Sequence, residues 1–469
     1  MILSKLFGRR WLSPSLIVGV CSTMVSCAMG PNYERPELKV PGAFRRTTEA
    51  ETAQPAIARN WWTLFNDPTL TRLAEETAAA NLDIKAAIAR VDQARAATRA
   101  AAGNFFPVID ASASARRSGN ANGTSTLYSL PFNLGYELDV WGRLRRQYES
   151  TKNIEQASVA DLEFVRQVAV SDVAQAYFTL RLYDRQITSF EAALELYRKQ
   201  LDLTDTKYKA GLSLPTDLLQ ARTQVNSATN QLIDVKRARA KQEHAIAILL
   251  GRPPAEVVLE PAPLTTPIPT IPAGLPVNLL SRRPDVAEAE YRLAAANAQI
   301  GIATANFFPS FSLGASAGFQ GSNVSHLLEW ENRVWSIVPG LSAPIFQGGR
   351  LSAALAQTKA GYEELVASYR SAVLRSFQDV EDQLSDLHLL AEKAQSLEDT
   401  LTSAREYSRL TEIQYRQGLT TYLQVIDANQ TLLTNELSAA QAHSQRLSAT
   451  VLLIKALGGG WARDDTAMK

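Results

Sequence analysis

Cys27 carries the most specific chemistry in this chain. It stands directly after Ser26, at the end of an apolar run from Leu12 to Val25 that follows Lys5, Arg9 and Arg10. Basic residues, then a short apolar run, then a small residue mark residues 1–26 as a secretory signal peptide, too short to span a bilayer. "MVSC" then reads as a lipobox, in which Cys27 becomes the first mature residue and carries acyl chains. The plainer reading is an ordinary buried thiol after a cleaved signal. Cys21 falls inside the signal, so no disulfide is expected within the mature chain. The four histidines (His244, His326, His388 and His443) are scattered. No nucleophile elbow, P-loop, dinucleotide fingerprint or Cys/His cluster is present. The expectation is no enzyme, no metal and no cofactor. A formal charge of +1 over 469 residues argues against a nucleic-acid partner, which calls for a basic surface.

The other candidate residues sit in two related turns, "YKAGLSLPTD" and "YRQGLTTYLQVID". The first holds Lys209, Gly211 and Asp217, the second Tyr415, Arg416, Gly418 and Asp427. Gly211 and Gly418 suit left-handed caps that end one helix before the next begins. Each turn joins two long helical runs. Between Arg143 and Ala210 there is no Pro or Gly, and between Arg350 and Gln417 only Gly361. At about 1.5 Å per residue such runs reach on the order of 100 Å, a length suited to coiled coil. Their apolar stripe is narrow and Ala-rich with polar flanks, which fits a wall with water on two sides.

These turns belong to a chain written twice. Asn104-Phe105-Phe106-Pro107 recurs as Asn306-Phe307-Phe308-Pro309, and "YKAGL" from Tyr208 as "YRQGL" from Tyr415. In each copy an Ala-rich helix stops where the proline forces an extended backbone. Period-two alternation follows. Ile109, Ala111, Ala113 and Ala115 oppose Asp110, Ser112, Ser114 and Arg116, and the even positions from Tyr128 to Val140 oppose Ser129, Asn133, Glu137 and Asp139. Phe311, Leu313, Ala315, Ala317 and Phe319 oppose Ser312, Gly314, Ser316 and Gln320. The fourth run is interrupted by Pro339 and Pro344. A sheet half-buried on a soluble core alternates too, but strands of this length with an aromatic-ended apolar face fit a transmembrane β-barrel. Four strands cannot close a barrel, so several chains must contribute. The expected layout is a lipid-anchored extended segment over 27–65 and a first repeat over 66–258, with strands at about 106–117 and 128–140 and a helical hairpin at about 141–250. A Pro-rich, non-helical connector spans 259–284. The second repeat covers 285–460, with strands at about 309–320 and 334–346 and a hairpin at about 349–457, before a tail over 461–469.

The signal with "CAMGPNYERPELKVP", the "NWWTLFNDPTLTRL" entry, the doubled Asn-Phe-Phe-Pro, the doubled Gly-Arg after a strand and the "YRQGLTTYLQVIDA" turn together resemble the outer membrane factors. These are the TolC-like exit ducts of tripartite efflux pumps, and the lipobox is similar to their NodT-type lipoprotein branch. The resemblance implies a mixed α+β membrane fold. A homotrimer would form a twelve-stranded barrel that continues into a helical coiled-coil tunnel in the periplasm. It implies a lipid-anchored place in the outer membrane, a membrane fusion (adapter) protein and an inner-membrane transporter of the RND type as partners, and passive conduction of drugs or other toxic compounds. Lys209, Gly211, Arg416 and Gly418 would lie at the adapter-contact tips. Tyr415 and Asp217 fall where the family links neighbouring hairpins into a closed gate, and Asp427 where it places an acidic constriction ring. Thr420 and Gln424 depart from that pattern, standing where an Arg and a second Asp are found, so fewer links and one ring are implied. Equally open are a helix cap for Asp217, packing for Tyr415 and a solvated surface for Asp427. The rival classes are a trimeric autotransporter-like protein and a structural coiled-coil envelope lipoprotein.

Overall fold

The computed structural model describes residues 28–45, 57–121, 123–271, 274 and 279–462; Cys27 and the signal lie outside the described residues. The chain forms two compact units. The first takes in 1–37, 91–158 and 288–369, and the second 38–90, 159–287 and 370–469.

The duplication is written into helix lengths. α1 (Pro68–Ala80) precedes α2 (Leu82–Gly103), α3 (Arg143–Lys209) and α4 (Pro215–Leu249); after the short α5 (Leu279–Arg282) come α6 (Pro284–Ala305), α7 (Arg350–Arg416) and α8 (Tyr422–Ala456). α2 and α6 are each 22 residues, α3 and α7 each 67, and α4 and α8 each 35. Among the described residues, no helix is long and apolar enough to cross a membrane. The hairpin turns match as well. Gly211 and Gly418 both adopt φ of 75°, and Leu212 N–H donates to Lys207 O while Leu419 N–H donates to Gln414 O. This is a Schellman closure, in which the positive φ lets the amide three residues past the helix reach back five residues.

The first unit contains one antiparallel sheet of β1 (Val108–Ala111), β2 (Ser114–Asn120), β3 (Gly123–Leu138), β4 (Ser310–Gly321) and β5 (Arg333–Ser342), ordered β1-β3-β4-β5 with β2 also on β3. β3 and β4 come from different repeats and pair from Tyr128↔Gly321 to Leu138↔Phe311, so the copies are joined through backbone hydrogen bonds. The first strand differs from the single run over 106–117 expected from the pattern: it is split at Ser112 and Ala113, with the register against β3 unchanged. The cause sits opposite. Pro131 has no N–H to donate, and only its carbonyl is used, accepting from Ser112 N–H at 3.1 Å. On its other side Pro131 meets Gly318, where a Cβ would stand 2.2 Å from Leu130 O. Only glycine fits there. The last strand ends at Ser342 rather than near 346, two residues before Pro344, and tolerates Pro339 as an edge strand of the protomer.

Two segments with almost no secondary structure are held by side chains. In the first unit the N-terminal strap is tied to α3 and α6. Arg146, 4% exposed, donates to Met29 O, Gly30 O and Asn32 Oδ1. Met29 N–H donates to Trp141 O at 2.9 Å, Asn297 Nδ2 to Pro31 O, and Arg35 Nε to the buried Glu290 Oε1 at 2.7 Å. In the second unit the Pro-rich connector is clasped by a buried charge cluster. Asp184 accepts from Arg181 at 2.6 Å and from Arg239 at 2.6 Å, and Ala262 N–H reaches its Oδ2 at 3.2 Å. The same arginines donate to Glu260 O and Leu259 O, and Glu243 accepts from Leu259 N–H. Further along, Thr266 O lies 3.1 Å from His443 Nε2, and burial first, then the nearby Arg446 charge, hold that imidazole below its ordinary value. The connector expected to be non-helical over 259–284 contains one helical turn, Leu279–Arg282, and just ahead of the connector Pro254–Glu256 forms a 3-10 turn, because proline at the first helical position has its φ preset.

Buried charges in this cluster are stabilising only as a set. Asp184→Ala leaves Arg181 without its carboxylate and Arg239 with Glu243 alone, and costs roughly 3–5 kcal/mol, expressed as faster protease cleavage and amide exchange across 257–266. Unchanged protection of that segment would show that the clasp contributes nothing.

Candidate functional site

The register sorts the strand side chains onto two faces. One face carries Ile109, Ala111 and Ala115; Leu130, Phe132, Leu134, Tyr136 and Leu138; Phe311, Leu313 and Phe319; and Trp335, Ile337 and Leu341. Many of these apolar side chains are exposed within the protomer. The other face is mostly Ser, Asn, Gly and a few charges, with Val108, Leu127, Val334 and Val338 among them. Ser118 and Ser125 pair at 3.2 Å, Ser316 and Ser336 at 2.9 Å, and Asn133 donates to Asp110 at 3.2 Å. At the helix end, Arg143 forms a two-pronged pair with Glu137, and Asp139 caps α3 through Leu144 N–H and Arg145 N–H. An apolar face made for hydrocarbon and a polar face made for water are what a pore wall requires. Among the described residues no cluster of three His, Cys, Asp or Glu suits a metal ion.

The turn residues lie together in the second unit. Tyr415 is 7% exposed and packs with Ala221, Tyr422 and Val425. Lys207 lies over its ring at 3.9 Å from the centroid and donates to its carbonyl. Asp217 turns its Oδ2 back to its own helix start, accepting from Leu214 N–H at 3.2 Å and Ser213 Oγ at 2.9 Å, which satisfies orphan donors at the N-terminus of α4. Asp217 and Tyr415 are therefore in one tip but not bonded to each other. Asp427 is exposed and accepts from Tyr407 Oη at 3.2 Å. Lys209 and Arg416 pair with Asp205 and Glu412 one turn back in their own helices, each at 2.6 Å. Beside Gly211 and Gly418 the turns present Leu212 at 77% and Leu419 at 73% exposure.

Sequence reading missed two residues here. Tyr422 is buried with its hydroxyl unpartnered, beside Thr420, whose Oγ1 is unpartnered too, and burial first, then Tyr415, Tyr197 and Asp217, push the Tyr422 phenol up. Tyr407, eight residues before Tyr415, is raised by desolvation and by its bond to Asp427. The signal was a tyrosine on either side of the turn, spaced to share one helix face with the cluster.

Comparison with known proteins decides the class. Residues 73–252 and 275–459 match the family described as outer membrane efflux protein. The chain belongs to that family. It is 32% identical over 451 residues to the probable efflux pump outer membrane protein TtgC of Pseudomonas putida, covering 93% of each chain. It is 29% identical over 468 residues to the cation efflux system protein CusC of Escherichia coli, covering 96% of this chain and 100% of that one. Among solved structures, the outer-membrane channel OprN superposes with a TM-score of 0.87 at 32% identity, over 93% of this chain and all of OprN. This outer membrane efflux protein is accordingly an exit duct with the TolC-like fold, located in the outer membrane.

Because Asp217 closes the first turn of α4, Asp217→Ala should fray that turn by about 1 kcal/mol, read as roughly fivefold faster amide exchange at Asp217 and Leu218. Exchange equal to wild type would mean that the turn is held by packing alone.

Proposed function

We propose that the protein works as a homotrimer whose three sheets close one twelve-stranded barrel, leading into a periplasmic helical tunnel and passing cargo passively outward. The observation that carries this reading is the pair of open sheet edges: among the described residues, the outer edges of β5 on one side and of β1 with β2 on the other pair with no further strand. In hydrocarbon each unsatisfied backbone group costs several kcal/mol, so an isolated protomer cannot rest there. The polar inner face argues for a non-enzymatic duct, with cargo chosen by the inner-membrane transporter. Drugs, solvents, metal ions and organic acids are all compatible with it. Periplasmic partners follow from the exposed Leu212 and Leu419 with Lys209, Gly211, Arg416 and Gly418, a surface suited to a membrane fusion (adapter) protein that links the duct to an RND-type transporter. The strap supports a lipid anchor at Cys27. Ala28 abuts Gly142, where a Cβ would fall 2.7 Å from Ala28 Cα, so the chain leaves the described region beside the strand-to-helix junction, near the membrane boundary.

In the closed state Asp427 of each protomer contributes to a ring of three carboxylates, a cation-attracting constriction. Asp217, whose Oδ1 is not used by its helix, and Tyr415 hold the hairpins inward. Asp427→Ala should lower the cation-to-anion permeability ratio by about twofold or more in planar-bilayer recordings. Tyr415→Phe combined with Asp217→Ala should raise closed-state conductance. Purified trimers with unaltered selectivity and conductance would move the gate elsewhere, and a conducting monomer would overturn the trimer.

Cys27→Ser should abolish acyl labelling of the mature protein while leaving barrel insertion intact, since the strands anchor independently. A wild-type protein that takes up no label would refute the anchor.

A further inference from the structure

Charge on the lipid-facing side of the sheet is confined to one end. Of the residues that the register places on that side of β1 to β5, two are charged, and both are arginines: Arg117 on β2, opposite Thr126, and Arg333 on β5, opposite Phe319. Both lie toward the β2–β3 and β4–β5 hairpins, away from the ends where β3 and β5 lead into helices. Each follows an aromatic step. Trp335 precedes Arg333 on its own strand, and Tyr128 lies one step nearer the helices than the Thr126–Arg117 pair. An arginine facing lipid costs about 2–4 kcal/mol at the bilayer midplane and about 0–1 near an interface. Arginines placed just past the aromatic row therefore mark headgroup depth on the outer side.

Their local surroundings leave them available. Arg117 and Arg333 are exposed, and neither pairs with a carboxylate among the described residues. Arg333 is held in place rather than consumed: Nη1 donates to Trp330 O at 2.7 Å and the guanidinium lies 4.6 Å from the centroid of the Trp330 ring. Of the two carboxylates in the adjoining turn, Glu329 pairs with His326, and Glu331 lies in the 3-10 turn Trp330–Asn332, beyond the strand. Trp330, 69% exposed, supplies the amphipathic ring typical of this depth. Guanidinium is a planar fork that matches phosphate oxygens with two parallel hydrogen bonds, which an ammonium does not. The cations at the other end of the sheet, Arg143 and Arg145 at the start of α3, are by contrast answered by Glu137 and Asp139.

We propose that Arg117 and Arg333 bind the phosphorylated headgroups of glycolipid in the outer leaflet, three copies of each giving the trimer a cationic collar at its outer rim. The proposal rests on the membrane orientation of the sheet given above. Across β2, β3, β4 and β5 the two arginines are separated by three strand spacings of about 4.8 Å and offset along the strands, so they form two contact points rather than one pocket.

The purified full-length protein in detergent is titrated with bisphosphorylated lipid A, with the same lipid stripped of its phosphates, and with inorganic phosphate, and binding is followed by native mass spectrometry and thermal midpoint. The phosphorylated lipid should bind and raise the midpoint. In the R117Q/R333Q double variant its affinity should fall by about tenfold or more, and R117K/R333K should fall between the two. Equal binding of the dephosphorylated lipid, or unchanged affinity in R117Q/R333Q, overturns the proposal. A midpoint shift produced by inorganic phosphate alone assigns a free-anion site and overturns it too. Single-channel conductance of R117Q/R333Q separates this from the underlying reading: wild-type conductance with lost lipid binding supports the collar, whereas a wild-type protein that fails to conduct at all removes the channel on which the collar depends.

Discussion

Backbone hydrogen bonding in a medium without water is the constraint on which the rest of this molecule depends. A strand edge that water would satisfy in solution has no such outlet in hydrocarbon. Among the described residues the protomer brings four antiparallel runs with an open edge on either side, and one face of the sheet is apolar apart from two threonines and from Arg117 and Arg333 near the hairpins. The pairing of β3 with β4, one strand from each repeat, joins the two hairpins of the duplicated chain with their apolar faces on the same side.

The same economy of partners explains the two straps. Residues 28–45 and 257–271 have little regular structure, so their backbone groups cannot satisfy one another. Buried side chains do it instead. Arg146 accounts for two carbonyls of the first strap, and Arg181, Arg239, Glu243 and Asp184 account for four backbone groups of the second. Arginine suits this role because its fork meets a carboxylate and a carbonyl together. The tips follow a different logic. There the donors left over at helix ends are closed by glycine caps and by Asp217, and the aromatic cluster of Tyr415 and Tyr422 packs the two hairpins of a protomer against each other. Tyr422 keeps an unpartnered hydroxyl inside that cluster, a desolvation cost that the packing around it offsets.

Most of the architecture is legible in the residue order, because it is set by short-range rules. Pro107 and Pro309 end helices, glycine at 211 and 418 caps them, and period-two alternation assigns strand faces without any knowledge of neighbours. The doubled Asn-Phe-Phe-Pro reveals the repeat, and the equal helix lengths follow from it. What the residue order could not supply are the consequences of contacts between distant segments. The break at Ser112 needs Pro131 to lie opposite, and Gly318 is required only because β4 passes behind that proline. Asp217, legible both as a gate residue and as a helix cap, spends one oxygen on its own helix once the turn is formed. Arg117 and Arg333 look like ordinary strand charges until the register puts both on the apolar face at the same end. Local propensity is a property of neighbours along the chain, and the sequence alone determined it; which groups meet across 100 or more residues depends on pairing and packing, and only the tertiary structure decided that.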